Sequence, residues 1–485
     1  MIRHLPARSA MARGSAGLLA LAMAACAPLG PNYERPVVGL PDAYPGPSTA
    51  ASAGTDSAVP SDWWTRYGDE RLTRLVEAAL AHNADVAQAV ARVEQADAQL
   101  RQVAAALRPE FDAGADASRS RFSGRALGTR GGPEGFVGND LRLTLSTSFE
   151  LDVWGRLRRG AEAARALAGS SAAARETVRL TVAGLTAQSW FALRSLDEQI
   201  ALTRETLRSR EESTRLLGLR LAGGTGSRLD VEQAEALRAD AALQLRDLER
   251  QRALAQSQLG LLTGQPGLTL DAAALGPLPV PPTPPLGLPS ALLAQRPDVR
   301  AAEQQLAAAN AQIDVARAEM FPQFSLTGSF GQESTELQNL LGAPARMWSL
   351  GFGLALPLFD GGRRAARVDE TAAREREAVA AYQGAVRAAF KDVADALANA
   401  HAAALSQEDV ERRERATAVA LRLAKARYDA GYSAYLELLD AQRTATAAQL
   451  ERVRNRQAQL AASIDLFKAL GGGWQEAAGA SSARR

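Results

Sequence analysis

Side chains able to do covalent or acid–base chemistry are few in this 485-residue chain, and they lie far apart. Its three histidines are His4, His82 and His401, and none has a Cys or a second His at metal-ligand spacing. Ala222-Gly-Gly-Thr-Gly226 looks like a phosphate loop only superficially, because no Lys-Ser/Thr follows and no strand precedes it. The 54 acidic residues scatter through helix-like stretches, where a solvated face is the default. No catalytic constellation, metal set or cofactor site emerges, so the expectation is a protein without enzymatic activity. The formal net charge of +2 argues neither for nucleic acid nor for an acidic partner, and no nucleic acid is expected. Two places remain where chemistry has a foothold. One is the single cysteine, Cys26; the other is the cluster Tyr428, Glu437 and Asp440 around a glycine turn.

Cys26 closes a segment built as a secretory signal. Arg3, Arg8 and Arg13 precede an apolar run from Gly17 to Ala25, too short to span a bilayer as a helix. Its end, Leu21-Ala-Met-Ala-Ala-Cys26, resembles a bacterial lipobox, with Met23 where Leu is usual. On that reading residues 1–25 are removed and Cys26 becomes the lipidated first residue. Ala27 instead of Asp implies sorting to the outer membrane of a Gram-negative bacterium. Either Met1 or Met11 can serve as the start, since the stretch from Met11 to Cys26 is itself a complete signal. The alternative is an ordinary signal with a chance Cys. No other stretch reaches the ~18–20 apolar residues of a membrane helix.

The elements that must position these residues follow from periodicity. Residues 26–62 are rich in Pro, Gly, Ser and Ala and read as an extended arm. Four segments alternate apolar and polar residues: Phe111–Phe122, Leu141–Val153, Gln323–Gly331 and Trp348–Phe359. Almost everything between the two pairs is helical. From Arg156 to about Leu221 no Pro appears, and one helix of that length spans ~100 Å. The glycines 223–226 break it, and Ser227 with Asp230 fits a capping box that starts a return helix to about Leu262. A Pro-rich connector over 264–290 follows, and the plan repeats: helix 298–319, strand, loop 333–347, strand, long helix 363–430, return helix 434–470. An offset of 207 residues relates Arg220 to Arg427, Gly224 to Gly431 and Leu259 to Leu466. The chain thus reads as two structural repeats, 63–290 and 291–473, with a tail at 474–485. In the second return helix Leu436, Leu439, Arg443, Thr446, Leu450, Val453, Gln457, Leu460, Ile464 and Phe467 step by three and four, as in a coiled coil. The first return helix matches that stripe poorly, with Arg246 and Arg250 on it.

Each alternating segment is long enough to cross an outer membrane, which takes about 9–11 tilted residues. Open strand edges are not tolerated in lipid, and closed barrels need about eight strands or more. One chain supplies four, so copies must combine. Two would make a small filled barrel and three a wider one. Small residues at Ser325, Thr327, Ser329, Ser349, Gly351, Gly353 and Ala355 favour the version with an open lumen. Phe122, Phe136, Trp154, Phe321, Trp348 and Phe359 bracket the strands, as interfacial girdles do.

Several motifs taken together resemble the TolC-like outer-membrane factors, in particular the lipoprotein efflux branch (OprM-like, NodT-type). They are Gly30-Pro-Asn-Tyr-Glu-Arg-Pro36, Trp63-Trp64, Phe149-Glu-Leu-Asp-Val-Trp-Gly-Arg-Leu157, Arg296-Pro-Asp-Val-Arg300 and Pro357-Leu-Phe-Asp-Gly-Gly362. The resemblance covers about residues 27–473. It implies a mostly α fold with membrane β. A homotrimer would form a 12-stranded β-barrel continuous with a long periplasmic α-helical coiled-coil barrel. It implies a passive export duct in the outer membrane for drugs or other small toxic compounds. The partners implied are a periplasmic adaptor (membrane fusion) protein, a proton-driven inner-membrane pump and outer-membrane lipid. Tyr428, Glu437 and Asp440 would line the periplasmic gate, where three copies place six carboxylates; ordinary helix-dipole stabilisation by first-turn acids is the alternative. Asp230 would instead act as a cap. The tips, with Arg220, Gly224 and Asp230 on one hairpin and Arg427 and Gly431 on the other, would contact the adaptor, or the glycines merely end helices. A type I protein-secretion duct is the competing reading, and a trimeric coiled-coil adhesin a remote one.

Overall fold

The computed structural model describes residues 32–41, 44, 60–123, 135–271, 277–282 and 296–473. The expected signal, Cys26, much of the arm and the tail after 473 lie outside the described residues. In chain order a 3-10 turn, Trp63–Tyr67, leads into α1 (Glu70–His82) and α2 (Ala84–Ala105), then β1 (Glu110–Phe122) and β2 (Phe136–Leu151). The helical hairpin α3 (Arg156–Ala222) and α4 (Arg228–Leu262) follows. After it come α5 (Pro297–Ala318), β3 (Gln323–Ser334), β4 (Arg346–Ala355) and a second hairpin, α6 (Arg363–Asp429) and α7 (Tyr435–Ala469). The fold is mostly helical with one sheet. The 207-residue offset also relates the bounds of α3 to α6 and of α4 to α7. No described helix is long and apolar enough to cross a membrane, which says nothing of the strands.

The chain divides into two compact units. The first comprises Met1–Pro36, Val93–Ser170 and Ala302–Tyr382 and holds an antiparallel sheet in the order β1-β2-β3-β4. Its register sorts side chains by polarity. Leu145 faces Ala113 on one side and Phe330 on the other, and Phe330 in turn faces Trp348. One residue along, Ser146 faces Asp112 and Ser329, and Ser329 hydrogen-bonds Ser349 at 2.8 Å. Side chains alternate between faces, so one face is apolar and the other small and polar across all four strands. The apolar face is bare in a single chain: Trp348 is 77% exposed, Leu350 72% and Phe352 64%. Strands β2 and β3 approach so closely that a Cβ on Gly331 would stand 2.2 Å from the Leu143 carbonyl oxygen.

Polar ties fix where strand becomes helix. Both oxygens of Asp152 accept from the first backbone N–H groups of α3, at Leu157 (3.0 Å) and Arg158 (2.9 Å). Asp360 does the same before α6, accepting from Gly362 and Arg364. The Trp154 indole N–H donates to the Pro322 carbonyl at 2.7 Å, joining the end of β2 to the start of β3. These are the aspartates and the tryptophan of the two strand–helix motifs. Buried Arg159 pairs with buried Asp314 at 3.1 Å and also donates to Asn32, while Arg35 forks onto Glu303 at 2.7–2.8 Å. Residues 32–36 of the arm are thereby held on this unit.

The second unit comprises Val37–Arg92, Ser171–Ala301 and Gln383–Arg485. Its core gathers Trp63, Leu72, Val76, Trp190, Phe191, Leu259, Leu460, Ile464 and Phe467. Trp63 stacks on Phe467 at 5.4 Å, and the Tyr67 hydroxyl reaches Ser463 at 3.0 Å. Asp69 caps α1 through the N–H groups of Arg71 and Leu72 and also accepts from Trp190 and Arg194 of α3.

Three expectations need correction. Strands β2 and β4 begin at Phe136 and Arg346, inside the expected loops 123–140 and 333–347, because Phe122 and Gln332 still offer backbone partners there; β4 ends at Ala355, short of Phe359. Ser227 caps α4 as expected, its hydroxyl accepting from Leu229, but Asp230 is not itself the cap and lies in the first turn. Near its start α7 buries Tyr435, Leu438 and Leu439, leaving Leu436 61% exposed and Arg443 in solvent. In the first return helix the buried stripe is Ala234, Ala241, Leu248 and Leu262, which recur at multiples of seven.

The close β2–β3 approach makes a direct test. Gly331→Ala should lower the thermal midpoint sharply by circular dichroism, because backbone must move. Gly218→Ala, with no atom within 4 Å of the added Cβ, should not lower it.

Candidate functional site at the hairpin tips

Both long hairpins end in the same backbone device. At the first tip the Thr225 N–H donates to the Arg220 carbonyl and Gly224 to Leu221; at the second, Tyr432 donates to Arg427 and Gly431 to Tyr428. Gly224 and Gly431 take left-handed φ of 76° and 77°, where a Cβ is strained. The sequence alternatives for these glycines are therefore decided in part: they end helices by geometry, whatever else they touch.

The tips pack together. Leu217 of α3, Ala234 of α4, and Tyr435, Leu438 and Leu439 of α7 form a buried cluster, with Val231, Leu421 and Tyr428 against it. Over this floor the Arg220 guanidinium donates to the Tyr428 hydroxyl at 2.8 Å and sits 5.5 Å from the Tyr428 ring centroid. Tyr428 in turn lies 5.5 Å from the Tyr435 ring. Burial pushes the Tyr435 hydroxyl above its ordinary value and lowers Arg210, whose guanidinium donates to Gln442. Arg220, expected as a surface contact, is thus a bridge between hairpins. Neither that bridge nor Arg210–Gln442 has a sequence signal, since their partners lie 208 and 232 residues apart.

The carboxylates are not alone. Glu437 lies 3.4 Å from Arg427 across the turn, and Asp440 lies 2.9 Å from Arg443 one turn along α7. Each acid expected to line a mouth has an arginine beside it, so the local charge alternates in sign. Glu437, Asp440, Arg427, Leu423, Ala424 and Tyr432 border a shallow groove of about 760 Å³ between α6 and α7. Asp230 stands in the first turn of α4 on the other hairpin. Among the described residues no group of acids, histidines or cysteines could hold a metal ion.

The Arg427–Glu437 pair is half in solvent, with side chains 59% and 46% exposed. A double-mutant cycle, Arg427→Ala against Glu437→Ala, should give a coupling of about 0.2–1 kcal/mol in thermal or chemical unfolding. A larger value would mean the pair is desolvated by something beyond one chain.

Known proteins resemble this chain over nearly its whole length. The profile of the family described as outer membrane efflux protein matches residues 75–265 and 288–472. The chain is 36% identical over 470 residues to outer membrane protein OprJ of Pseudomonas aeruginosa, covering 95% of this chain and 96% of that protein. It is 32% identical over 462 residues to the probable outer membrane lipoprotein SilC of Salmonella typhimurium, covering 94% and 97%. The fold is similar to the Campylobacter jejuni CmeC outer membrane channel, with a TM-score of 0.86 at 27% identity, over 94% of this chain and 97% of that one. The chain belongs to the outer membrane efflux protein family and is an outer-membrane channel component of an efflux pump.

Proposed function

We propose that three copies of this chain form a passive export duct for drugs or other small toxic compounds. The observation that carries the proposal is the sorted sheet: a continuous apolar face, a small polar face, and two edges, β1 and β4. In hydrocarbon both edges need partners. Pairing β4 of one copy with β1 of the next closes twelve strands in a trimer, with the apolar face to lipid and the serines and glycines to the lumen. The barrel continues into a long periplasmic helical barrel, to which the two repeats, 63–290 and 291–473, contribute in parallel. Cargo arrives from a proton-driven inner-membrane pump through a periplasmic adaptor that meets the tips at Arg220, Gly224, Asp230, Arg427 and Gly431. Cys26 carries the lipid anchor after removal of residues 1–25; the relative SilC is named a probable lipoprotein.

The second tip is the gate in this reading. Tyr428, Glu437 and Asp440 ring the periplasmic mouth, with Arg427 and Arg443 as counter-charges. The Arg220–Tyr428 bridge holds the second hairpin against the first, so opening breaks that bond. Joint replacement of Glu437 and Asp440 by Ala should raise single-channel conductance in planar bilayers. It should also shift selectivity toward anions, because the arginines are left unmatched. Unchanged conductance and selectivity would count against the gate. Tyr428→Phe, which keeps the ring and loses the hydroxyl, should raise conductance less.

Two cellular tests address the rest. Palmitate should label the wild type and not Cys26→Ser, with the label in the outer-membrane fraction. A deletion strain should accumulate small hydrophobic drugs, whereas loss of a secreted protein from the medium with normal drug export would favour the type I secretion reading.

A further inference from the structure

At the base of the second hairpin one side chain holds three segments. Arg296 is 8% exposed. Its Nε and Nη2 donate to the two carboxylate oxygens of Asp298 at 3.0 and 2.7 Å. Nη2 also reaches Asp392 at 3.0 Å. Nη1 donates to the carbonyls of Ala469 at 3.1 Å and Ala389 at 3.4 Å. A guanidinium has five N–H donors, and here each has an acceptor. Asp298 lies in the first turn of α5, Ala389 and Asp392 on α6, and Ala469 is the last residue of α7, whose carbonyl has no partner within the helix.

The first half shows what this adds. Asn83 stands immediately before α2 as Arg296 stands before α5. Its side-chain amide donates to the carbonyl of Leu262, the last residue of α4, at 3.1 Å, and its oxygen accepts from the N–H groups of Asp85 and Val86. The reach stops there. Leu185, 207 residues before Asp392, is an exposed apolar side chain that offers no acceptor. Helix α3 is held separately, through Trp190 and Arg194 on Asp69. In the first half the end of α4 and the flank of α3 are thus held by different side chains, whereas Arg296 holds the end of α7 and the flank of α6 with one.

We propose that Arg296 is a positioning residue for the duct. It locks α6 and α7 into a single lever, so that the second tip moves only when both helices turn together about this point. From Asp392 to the end of α6 the helix runs about 55 Å, and a turn of about 5° at the base would carry the tip about 5 Å. A clamp at the base thus governs whether Tyr428, Glu437 and Asp440 stay in register. The proposal rests on the reading of the second tip as the gate.

The test uses the first half's own residue. Arg296→Asn replaces a donor-only side chain by one that can cap α5 as Asn83 caps α2, and it deletes the reach to α6. Asp392→Ala removes the charged half of that reach from the other side, on a carboxylate that is half exposed, and leaves only the 3.4 Å bond to the Ala389 carbonyl. Asn83→Ser, which retains a cap for α2 and loses the Leu262 link, is the control. Full-length protein from outer membranes, in planar bilayers, should show at least a twofold rise in resting conductance for Arg296→Asn and Asp392→Ala, and wild-type conductance for Asn83→Ser. Wild-type conductance in both clamp variants, even with a lowered melting temperature, would overturn the clamp; so would an equal rise in Asn83→Ser. If Arg296→Asn does not accumulate, Asp392→Ala alone decides. The Glu437 and Asp440 double variant run alongside separates the two ideas: if it alters conductance while the clamp variants do not, the clamp fails and the gate stands.

Discussion

A strand edge placed in hydrocarbon has no water to satisfy its N–H and C=O groups, and each unmet group costs several kcal/mol. That constraint organises the account of this chain. Its sheet has four strands and two edges, and the register puts Leu145, Phe330 and Trp348 on one face and Ser146, Ser329 and Ser349 on the other. In the proposed reading this apolar face meets lipid, and lipid then requires the edges to be closed by other copies. The close β2–β3 contact at Gly331 and the tie from Trp154 to Pro322 serve the same end, joining hairpins that are far apart in sequence into one sheet.

Duplication supplied the parts, and divergence gave the halves different work. Backbone devices recur at the 207-residue offset: the helix bounds, the left-handed Gly224 and Gly431, and the hydrogen bonds that close each tip. These are conditions any hairpin of this length must meet. The aspartates before α3 and α6 recur as well, but the longer side-chain ties do not. Asn83 holds one helix end where Arg296 holds an end and a neighbouring helix. Tyr428 stands 207 residues after Leu221, and it is Tyr428 that receives the Arg220 bond. The second hairpin thus carries the aromatic and paired charges at its tip and the shared anchor at its base.

Much of this was legible in sequence for simple reasons. Strict alternation from Leu141 onward declares a strand with two unlike faces, and a long Pro-free stretch ended by glycines declares a helix and its turn. What was hidden depended on partners. Gly138 and Asn139 look like loop, yet they pair because β1 continues opposite them. Leu436 looks like core, yet α7 turns Tyr435 and Leu438 inward, because the floor they pack on comes from Leu217 and Ala234 of the other hairpin. In α4 two of the buried stripe positions are alanines, Ala234 and Ala241, and alanine gives little hydrophobic signal. Glu437 and Asp440 were visible as acids, but Arg427 and Arg443 as their counter-charges were not, and a ring of alternating sign differs physically from a ring of six negative charges. The ties of Arg220 and Arg296 span hundreds of residues or several segments and leave no local pattern.

The central claim is that the sorted sheet makes sense only as one third of a closed barrel. Native mass spectrometry of the detergent-purified outer-membrane protein measures this most directly. The account predicts a dominant species of three chains. A dominant monomer or dimer, in protein that still conducts in bilayers, would contradict it.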